Sequence, residues 1–368
     1  MILRRSIFCV LLAASLLAGC RAAGGEPYPP IRLAAEGTPE EIGRRVGREQ
    51  AEAIRKLHPV MLLAARSLTL HSKETLYKRA GQLAAKLSED DLAEIKGLAA
   101  GSGLSCEDTL FLNLFYSLTT DWPACRGLAA WGGSTTDGEL LHARNLDWLD
   151  YPGKPLQRFN LILNVKPKDG IEHLLLTWPG FQGALTGTNR KGLTLAFNQL
   201  PGAWPAGEPL SEPIFFTLRR ALRKCSTVDE AIKLIREAKP LGNGSVLISE
   251  AGAKTAAVVE VIGGKVGLRR PDGEMIANAN HPTREAGWTG IKTGPAGAPA
   301  LDVARGLGGK LSAERIRQVM ADRKVMQEIN LLAVVFEPAK NRMGLACGEQ
   351  PAAAGKFTEY ALFPEEKK

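Results

Sequence analysis

The chain has 368 residues, of which 45% are hydrophobic and 23% are charged, and its formal net charge is +8 with a pI near 9.2. These values are typical of a globular protein with a large core and exclude an extensively disordered chain. The basic residues form no block with interleaved aromatic residues, so we expect no nucleic-acid partner. The mildly basic charge suits a protein that lies against anionic lipid.

Residues 1–19 have the pattern of an export signal. Two arginines precede an apolar stretch, 6–17, that is too short to span a membrane, and the signal ends in L-A-G-C at 17–20. This ending resembles a bacterial lipobox, which implies cleavage before Cys20 and lipidation of its sulfur. We therefore expect a lipid-anchored protein of the bacterial cell envelope, at the outer membrane or the periplasmic face. An ordinary signal peptide that is cut nearby is the alternative.

Residues 20–34 are rich in glycine and proline, which predicts a short tether to the membrane surface. Residues 35–124 are predicted to be a helical segment. A Thr-Pro-Glu-Glu helix start stands at residue 38, and another start at residue 88 precedes a helix over 92–100. A third helix, over 108–118, is strongly apolar and is predicted to be buried.

The character of the chain changes at Cys125, which opens an apolar run. An Asp-Gly turn at 137–138 and a second run follow, and the second run leads to Arg144 and Asp147. Two short apolar runs around an Asp-Gly predict a β-hairpin, which would bring Arg144 and Asp147 beside the cysteine. A thiol near a fixed cation and a carboxylate has the pattern of an activated nucleophile. A lone cysteine is more commonly a buried core residue, so the spacing alone leaves catalysis open.

Strands and helices alternate through the rest of residues 125–368. The order of strands, helices, strands, helices and strands, without an internal repeat or a linker, predicts one layered α+β domain. The strands are predicted at 158–165, 172–177, 192–198, 245–249, 255–261, 274–277, 330–336, 342–347 and 357–363, and the helices at 212–224, 228–238, 300–306 and 313–321.

The chain has six cysteines, of which signal processing would remove Cys9 and lipidate Cys20. The other four are far apart and have no His/Cys spacing of a metal site, so we expect neither a metal nor a cofactor. If Cys125 is kept free for chemistry, at most one disulfide can form among Cys106, Cys225 and Cys347.

Several motifs follow one another along the chain. They are E-I-K-G-L-A-A-G at 94–101, Cys125 with A-A-W-G at 129–132, D-G at 137–138, L-H-A-R-N-L-D-W at 141–148, N-R-K-G-L at 189–193 and N-H at 280–281. In this order they resemble the acyl-coenzyme A:6-aminopenicillanic-acid acyltransferase family of autoproteolytic N-terminal-nucleophile (Ntn) hydrolases. Choloylglycine hydrolases and acid ceramidases are more distant relatives of that family. The resemblance extends from about residue 35 to the C-terminus.

The resemblance implies a four-layer αββα fold that is made as a precursor and cuts itself between Ala124 and Cys125. Cys125 would then be the nucleophile, and its new α-amine, whose reference pKa is about 7.7 to 8, would be the base. Asp147 would hold this amine, and Arg144 would polarise the thiol. No catalytic histidine is then required, and His281 is expected to be structural.

Two asparagines are the candidates for stabilising the oxyanion. Asn280 matches the family asparagine with this role, and Asn198 is the second candidate, with Gln199 as its alternative. Arg305 is the candidate for the family's later arginine. Arg126 departs from the family, which usually has Thr or Ser directly after the nucleophile.

The preferred hypothesis is a lipid-anchored amidohydrolase or acyltransferase that acts on a small N-acyl amine or peptide-like amide through a Cys125 thioester. An envelope location favours hydrolysis over acyl transfer from coenzyme A, which is a cytoplasmic metabolite. The two self-cleaved fragments are expected to stay associated. One alternative is a non-catalytic envelope lipoprotein that uses the same fold as a binding module. A cysteine protease with a separate histidine base is another, but the five histidines supply no motif for it.

Overall fold

The computed structural model describes residues 27–119, 125–151, 153–200, 211–288, 292–294 and 299–365. The predicted signal, Cys20 and Ala124 therefore lie outside the described residues. The helices are α1 Pro39–Glu49, α2 Ala51–Thr69, α3 Lys73–Ala84, α4 Glu89–Ser102, α5 Cys106–Leu118, α6 Pro155–Arg158, α7 Ile214–Lys224, α8 Val228–Ala238, α9 Pro299–Gly306 and α10 Ala313–Ala321. The strands are β1 Ile31–Gly37, β2 Arg126–Ala130, β3 Leu141–Asp147, β4 Leu161–Pro167, β5 His173–Thr177, β6 Thr186–Asn189, β7 Leu193–Gln199, β8 Gly244–Glu250, β9 Thr255–Ile262, β10 Lys265–Arg269, β11 Met275–Asn278, β12 Asn330–Glu337, β13 Arg342–Cys347 and β14 Thr358–Ala361.

These strands form two sheets. One has eight strands in the order β1-β4-β5-β6-β7-β8-β9-β10, and the other has six in the order β11-β2-β3-β12-β13-β14. Neighbouring strands are antiparallel, except for β1 and β4, which are parallel. All eight residues of β12 are buried, as expected for a strand that is covered on both faces.

The two sheets pack face to face between two layers of helices. One apolar cluster joins Ala129 and Ile276 of the six-stranded sheet to Leu247 and Val258 of the eight-stranded sheet. Helices α7 and α8 contact β6 to β9, and α9 and α10 contact β2, β3, β11 and β12. The layer order is αββα, so the predicted four-layer α+β fold class is confirmed.

The five helices α1 to α5 lie where the sequence predicts helices, and α1 begins after the predicted cap Thr38. Glycines allow α1 and α4 to lie in close contact. A Cβ atom on Gly43 would be 1.9 Å from the Glu94 carbonyl oxygen, and one on Gly97 would be 2.1 Å from the Glu40 carbonyl oxygen. Any larger residue would therefore force the two backbones apart.

The first strand corrects the predicted tether. Residues 31–34 were expected to be irregular, but they belong to β1, which pairs with β4 from Ile31 opposite Leu161 to Gly37 opposite Pro167. Because the partner strand is distant in the sequence, no local sequence pattern predicts this pairing. Strands β6 and β10 are also additional to the prediction, and β6 (T-G-T-N) contains residues with low strand propensity.

A buried polar network connects α4 to α7 and to the loop before β6. The Arg219 guanidinium donates to Glu94 Oε1 at 2.8 Å and to the Gln182 backbone carbonyl at 2.8 Å. The Gln182 backbone N–H donates to Asn113 Oδ1 at 2.9 Å. Both charged side chains are less than a tenth exposed. Burial raises the pKa of the Glu94 carboxyl, and Arg219 opposes this effect. The buried Glu94 carboxylate is therefore stabilised by the buried Arg219 guanidinium, and the guanidinium by the carboxylate.

No helix in the described part of the chain is long and apolar enough to cross a membrane. Cys106, Cys125, Cys225 and Cys347 are all free, so none of these four forms a disulfide with another. Within the described ranges, no group of three or more His, Cys, Asp and Glu side chains could hold a metal ion.

Removing only one partner of the Glu94–Arg219 pair is expected to destabilise the fold. Arg219→Leu leaves a buried carboxylate without its cation and should lower the free energy of unfolding by about 3 to 5 kcal/mol, whereas Glu94→Leu/Arg219→Leu should recover part of this loss. Arg44→Leu is the control, because the Arg44–Glu40 pair is 52% and 41% exposed, and it should cost less than about 0.5 kcal/mol. Urea unfolding measures the free energy of unfolding of the three variants. Equal losses of stability in Arg219→Leu and Arg44→Leu would contradict the expectation.

Candidate active site

The candidate site lies on the antiparallel pair of strands β2 and β3. Arg126 lies opposite Asn145 and Ala130 lies opposite Leu141, so the predicted hairpin is present. Cys125 directly precedes β2, and Asp147 ends β3. The antiparallel pairing therefore brings the cysteine to the end of the strand that carries Arg144 and Asp147.

The Cys125 thiol is buried beside a cation. The residue is 2% exposed, Arg144 Nη2 donates to its Sγ at 3.5 Å, and Sγ lies 3.9 Å from the Asp147 carbonyl oxygen. Burial raises the pKa of the Cys125 thiol, and the neighbouring guanidinium opposes this effect. Burial therefore favours the protonated thiol, and the guanidinium favours the thiolate.

The Arg144 side chain crosses from the six-stranded to the eight-stranded sheet. Its Nη2 donates to the Phe197 carbonyl at 2.6 Å, and its Nη1 donates to Thr186 Oγ1. These two acceptors are uncharged oxygens, so they fix the guanidinium without neutralising it. Its charge is therefore available to stabilise a thiolate on Cys125.

Asp147 is fully buried and has one engaged carboxylate oxygen. Its Oδ1 accepts from Asn330 Nδ2 at 2.7 Å, whereas its Oδ2 has no hydrogen-bond partner in the described part of the chain. Burial raises the pKa of Asp147 to about 7, although the Asn330 hydrogen bond and the charges of Arg126 and Arg144 act in the opposite direction. This carboxyl group therefore titrates near neutral pH, and its Oδ2 is suited to a cationic partner.

Of the two predicted asparagines, Asn198 contacts Cys125 directly, whereas Asn280 is connected to Cys125 through Arg126. Asn198 Nδ2 donates to the Cys125 carbonyl at 3.3 Å, and Asn280 Nδ2 donates to the Gln199 carbonyl at 2.7 Å. The structure thus places the side-chain amide of Asn198 at the cysteine, whereas Gln199 takes part through its backbone.

Arg126, the departure from the family pattern, contacts the same group of residues. Its Nη1 donates to the Cys125 carbonyl at 2.9 Å and to Asn280 Oδ1 at 3.2 Å. The larger side chain therefore connects the start of β2 to the loop after β11. It also fixes the Asn280 amide, because that amide accepts from Arg126 and donates to Gln199.

Arg305 is not brought to this group of residues. It lies on α9, in the outer helical layer over the six-stranded sheet, and its side chain is exposed. Conversely, sequence reasoning missed Thr186 and Asn330, which hold Arg144 and Asp147. The available signal for Asn330 is a polar residue that opens an otherwise apolar strand.

The middle part of the chain matches a protein-family model. Residues 134–291 match the family model described as acyl-coenzyme A:6-aminopenicillanic acid acyl-transferase. The predicted resemblance to this family is confirmed. The matched range of the acyl-transferase family contains Arg144, Asp147, Asn198 and Asn280, and it begins after Cys125.

Two proteins of Dictyostelium discoideum are similar in sequence to parts of this chain. Protein dcd1B is 31% identical over 150 residues, which are 39% of this chain and 28% of dcd1B. Protein dcd1A is 28% identical over 149 residues, which are 39% of this chain and 33% of dcd1A. The aligned part thus spans a third or less of each relative.

Solved structures also align with this chain. An N-acylethanolamine-hydrolyzing acid amidase (NAAA) ortholog of Caenorhabditis elegans aligns with a TM-score of 0.47 and 15% identity over 65% of this chain and 100% of its own. Penicillin V acylase from Agrobacterium tumefaciens aligns with a TM-score of 0.43 and 16% identity over 61% and 83% of the two chains.

The raised pKa of Asp147 predicts how stability depends on pH. The folded state binds the carboxyl proton more tightly than the unfolded state, so stability falls as the pH rises from about 4 to about 7. Asp147→Asn removes the charge and should raise the free energy of unfolding at pH 8 by about 2 to 4 kcal/mol, with little effect at pH 4.

This comparison is made by urea unfolding in a Cys125→Ala background, so that no chain in the series carries an α-amine at position 125. Asp302→Asn, at an exposed position of α9, is the matched control and should give no such difference between the two pH values. An Asp147→Asn protein that gains no stability at pH 8 would refute the assignment of a buried, destabilising charge.

Proposed function

We propose that this protein is an amidohydrolase or acyltransferase that cleaves the carbon–nitrogen amide bond of a small N-acyl amine or peptide-like amide through a Cys125 thioester. The observation that carries this proposal is the 3.5 Å contact of Arg144 Nη2 with Cys125 Sγ, at the end of the strand that holds the open oxygen of Asp147. The family match over residues 134–291 supports acyl-transfer chemistry. The proposal includes a lipid anchor on Cys20 in the bacterial cell envelope, for which the L-A-G-C sequence is the support.

The first proposed step is self-cleavage between Ala124 and Cys125. Sγ attacks the Ala124 carbonyl carbon, the bond from that carbon to the Cys125 nitrogen breaks, and the thiol proton passes to the nitrogen. Water then hydrolyses the resulting thioester, which leaves a carboxylate on Ala124 and a free amine and thiol on Cys125. The buried Oδ2 of Asp147 would accept a hydrogen bond from the new ammonium group.

In the cleaved protein the α-amine is the proposed base. It takes the thiol proton, Arg144 stabilises the resulting thiolate, and Sγ then attacks the substrate carbonyl carbon. The side-chain amides of Asn280 and Asn198 stabilise the oxyanion. In each amide, one Nδ2 hydrogen bonds a backbone carbonyl and the second Nδ2 hydrogen is donated to the oxyanion. The ammonium then protonates the leaving amine, and water, or an acceptor amine in a transferase, attacks the thioester.

The apolar core that contains Cys125 is rich in aromatic rings, which supports an apolar acyl group. Tyr116, Trp148, Phe181 and Phe197 belong to the same apolar cluster as Cys125. The Tyr116 ring centroid lies 5.1 Å from that of Trp148 and 4.9 Å from that of Phe181. Aromatic surfaces of this kind favour hydrocarbon groups over charged ones.

The packing supports the proposal that the two fragments stay together after cleavage. The N-terminal fragment contributes β1 to the eight-stranded sheet, and the fully buried Phe111 and Phe115 of α5 to the core that also contains Cys125. The buried Glu94–Arg219 pair also joins the two fragments.

The second candidate function is a non-catalytic binding module in the cell envelope. Arg126 favours it, because its guanidinium engages Asn280, the residue that the reaction needs as an oxyanion donor.

Intact-mass analysis tests the self-cleavage. The purified protein should separate under denaturing conditions into two fragments, the second of which begins at Cys125. Cys125→Ala should remain one chain, whereas Cys225→Ala, which changes another buried cysteine, should be cut normally. An uncut wild-type chain would overturn the proposed self-activation.

Kinetics on a panel of N-acyl amines tests the catalytic roles. Asn280→Ala should lower kcat by about 10²- to 10³-fold, with a smaller effect on KM, because an oxyanion donor acts mainly in the transition state. Asn164→Ala is the control, because Asn164 bonds the Leu362 carbonyl away from Cys125, and its kcat should be close to that of the wild type. Absence of turnover in a cut wild-type protein would favour the binding module.

A further inference from the structure

One buried hydroxyl is aimed at the candidate site from the opposite sheet. Thr186 opens β6 and is 1% exposed, and its Oγ1 accepts a hydrogen bond from Arg144 Nη1. Arg144 belongs to β3 of the other sheet and is itself 1% exposed. This contact therefore crosses the interface between the two sheets at the position of the nucleophile.

The contact determines how the guanidinium is oriented. The Phe197 carbonyl holds Nη2 at 2.6 Å, and a single acceptor on one nitrogen leaves the planar group free to pivot about that atom. Thr186 supplies the acceptor for Nη1, so the plane is held at two corners. With the plane fixed in this way, Nη2 points at Cys125 Sγ, 3.5 Å away.

Threonine suits this position for two reasons. Its β-branched side chain has few χ1 rotamers on a strand, so the hydroxyl is held in place at little cost in conformational entropy. A hydroxyl group is also uncharged, whereas a carboxylate at this position would pair with the guanidinium and weaken its effect on the thiolate.

We propose that Thr186 is a positioning residue that fixes the Arg144 guanidinium beside the Cys125 thiol and thereby sets the acidity of the nucleophile. This inference rests on the proposed function, in which Cys125 reacts as a thiolate. Neither the motif order nor the spacing of residues 125–148 includes Thr186.

The test is the pH profile of Cys125 alkylation by iodoacetamide, followed by mass spectrometry of the peptide that contains Cys125. Removing an acceptor that orients the neighbouring cation should raise the midpoint of the profile by about one pH unit in Thr186→Val. Thr186→Ser keeps the hydroxyl and should restore a midpoint near that of the wild type. Cys106, which is exposed on α5, gives an internal reference in every sample.

Thr188→Val is the matched control. Thr188 lies two residues along the same strand and is fully buried, but its Oγ1 bonds Thr194 Oγ1 at 2.8 Å, within the eight-stranded sheet. Its midpoint should equal that of the wild type. If Thr186→Val does not fold, Thr186→Ala removes the same hydroxyl and should show the same shift.

The outcomes separate this inference from the proposed function. A wild-type Cys125 that is never alkylated would overturn both. A reactive Cys125 with an unchanged midpoint in the folded variant that lacks the Thr186 hydroxyl would overturn this inference alone, and so would an equal shift in Thr188→Val.

Discussion

The candidate site depends on a buried cation, the Arg144 guanidinium. A charge in the interior costs several kcal/mol unless other groups compensate it. Here Thr186 and the Phe197 backbone compensate it from the eight-stranded sheet, and the Cys125 thiol does so from the six-stranded sheet. The same side chain therefore joins the two sheets and contacts the Cys125 thiol.

Two acidic groups compete for this cation. The thiol of Cys125 and the carboxyl of Asp147 are both buried near Arg144, and burial raises the pKa of each. The Asp147 charge also raises the pKa of the Cys125 thiol, because a nearby negative charge disfavours the thiolate. In the proposed cleaved protein, a protonated α-amine at Asp147 Oδ2 would offset the carboxylate charge and thereby favour the thiolate, which would give this amine an electrostatic role as well as that of a base.

The sequence predicts the parts of the site that depend on local order. Cys125, Arg144 and Asp147 lie on one hairpin, so its turn and alternation are enough to bring them together. Asn198 and Asn280 were found through the family motifs, because their approach to Cys125 requires two further strands. Thr186 and the pairing of β1 with β4 depend on contacts between distant segments, and a single sequence carries no local signal for these. Asn330 stands out locally as the polar start of an apolar strand, but its partner Asp147 lies far away in the sequence.

The parallel β1–β4 pairing has a consequence for a cleaved chain. A cut after residue 124 would leave β1 on one polypeptide and its neighbour β4 on the other, at the edge of the eight-stranded sheet. The precursor folds as a unimolecular reaction, but two separated fragments would have to meet again, so refolding would become bimolecular and dependent on concentration. A cleaved protein of this architecture would thus keep a fold that formed before the cut. Its functional lifetime would be set by its unfolding rate.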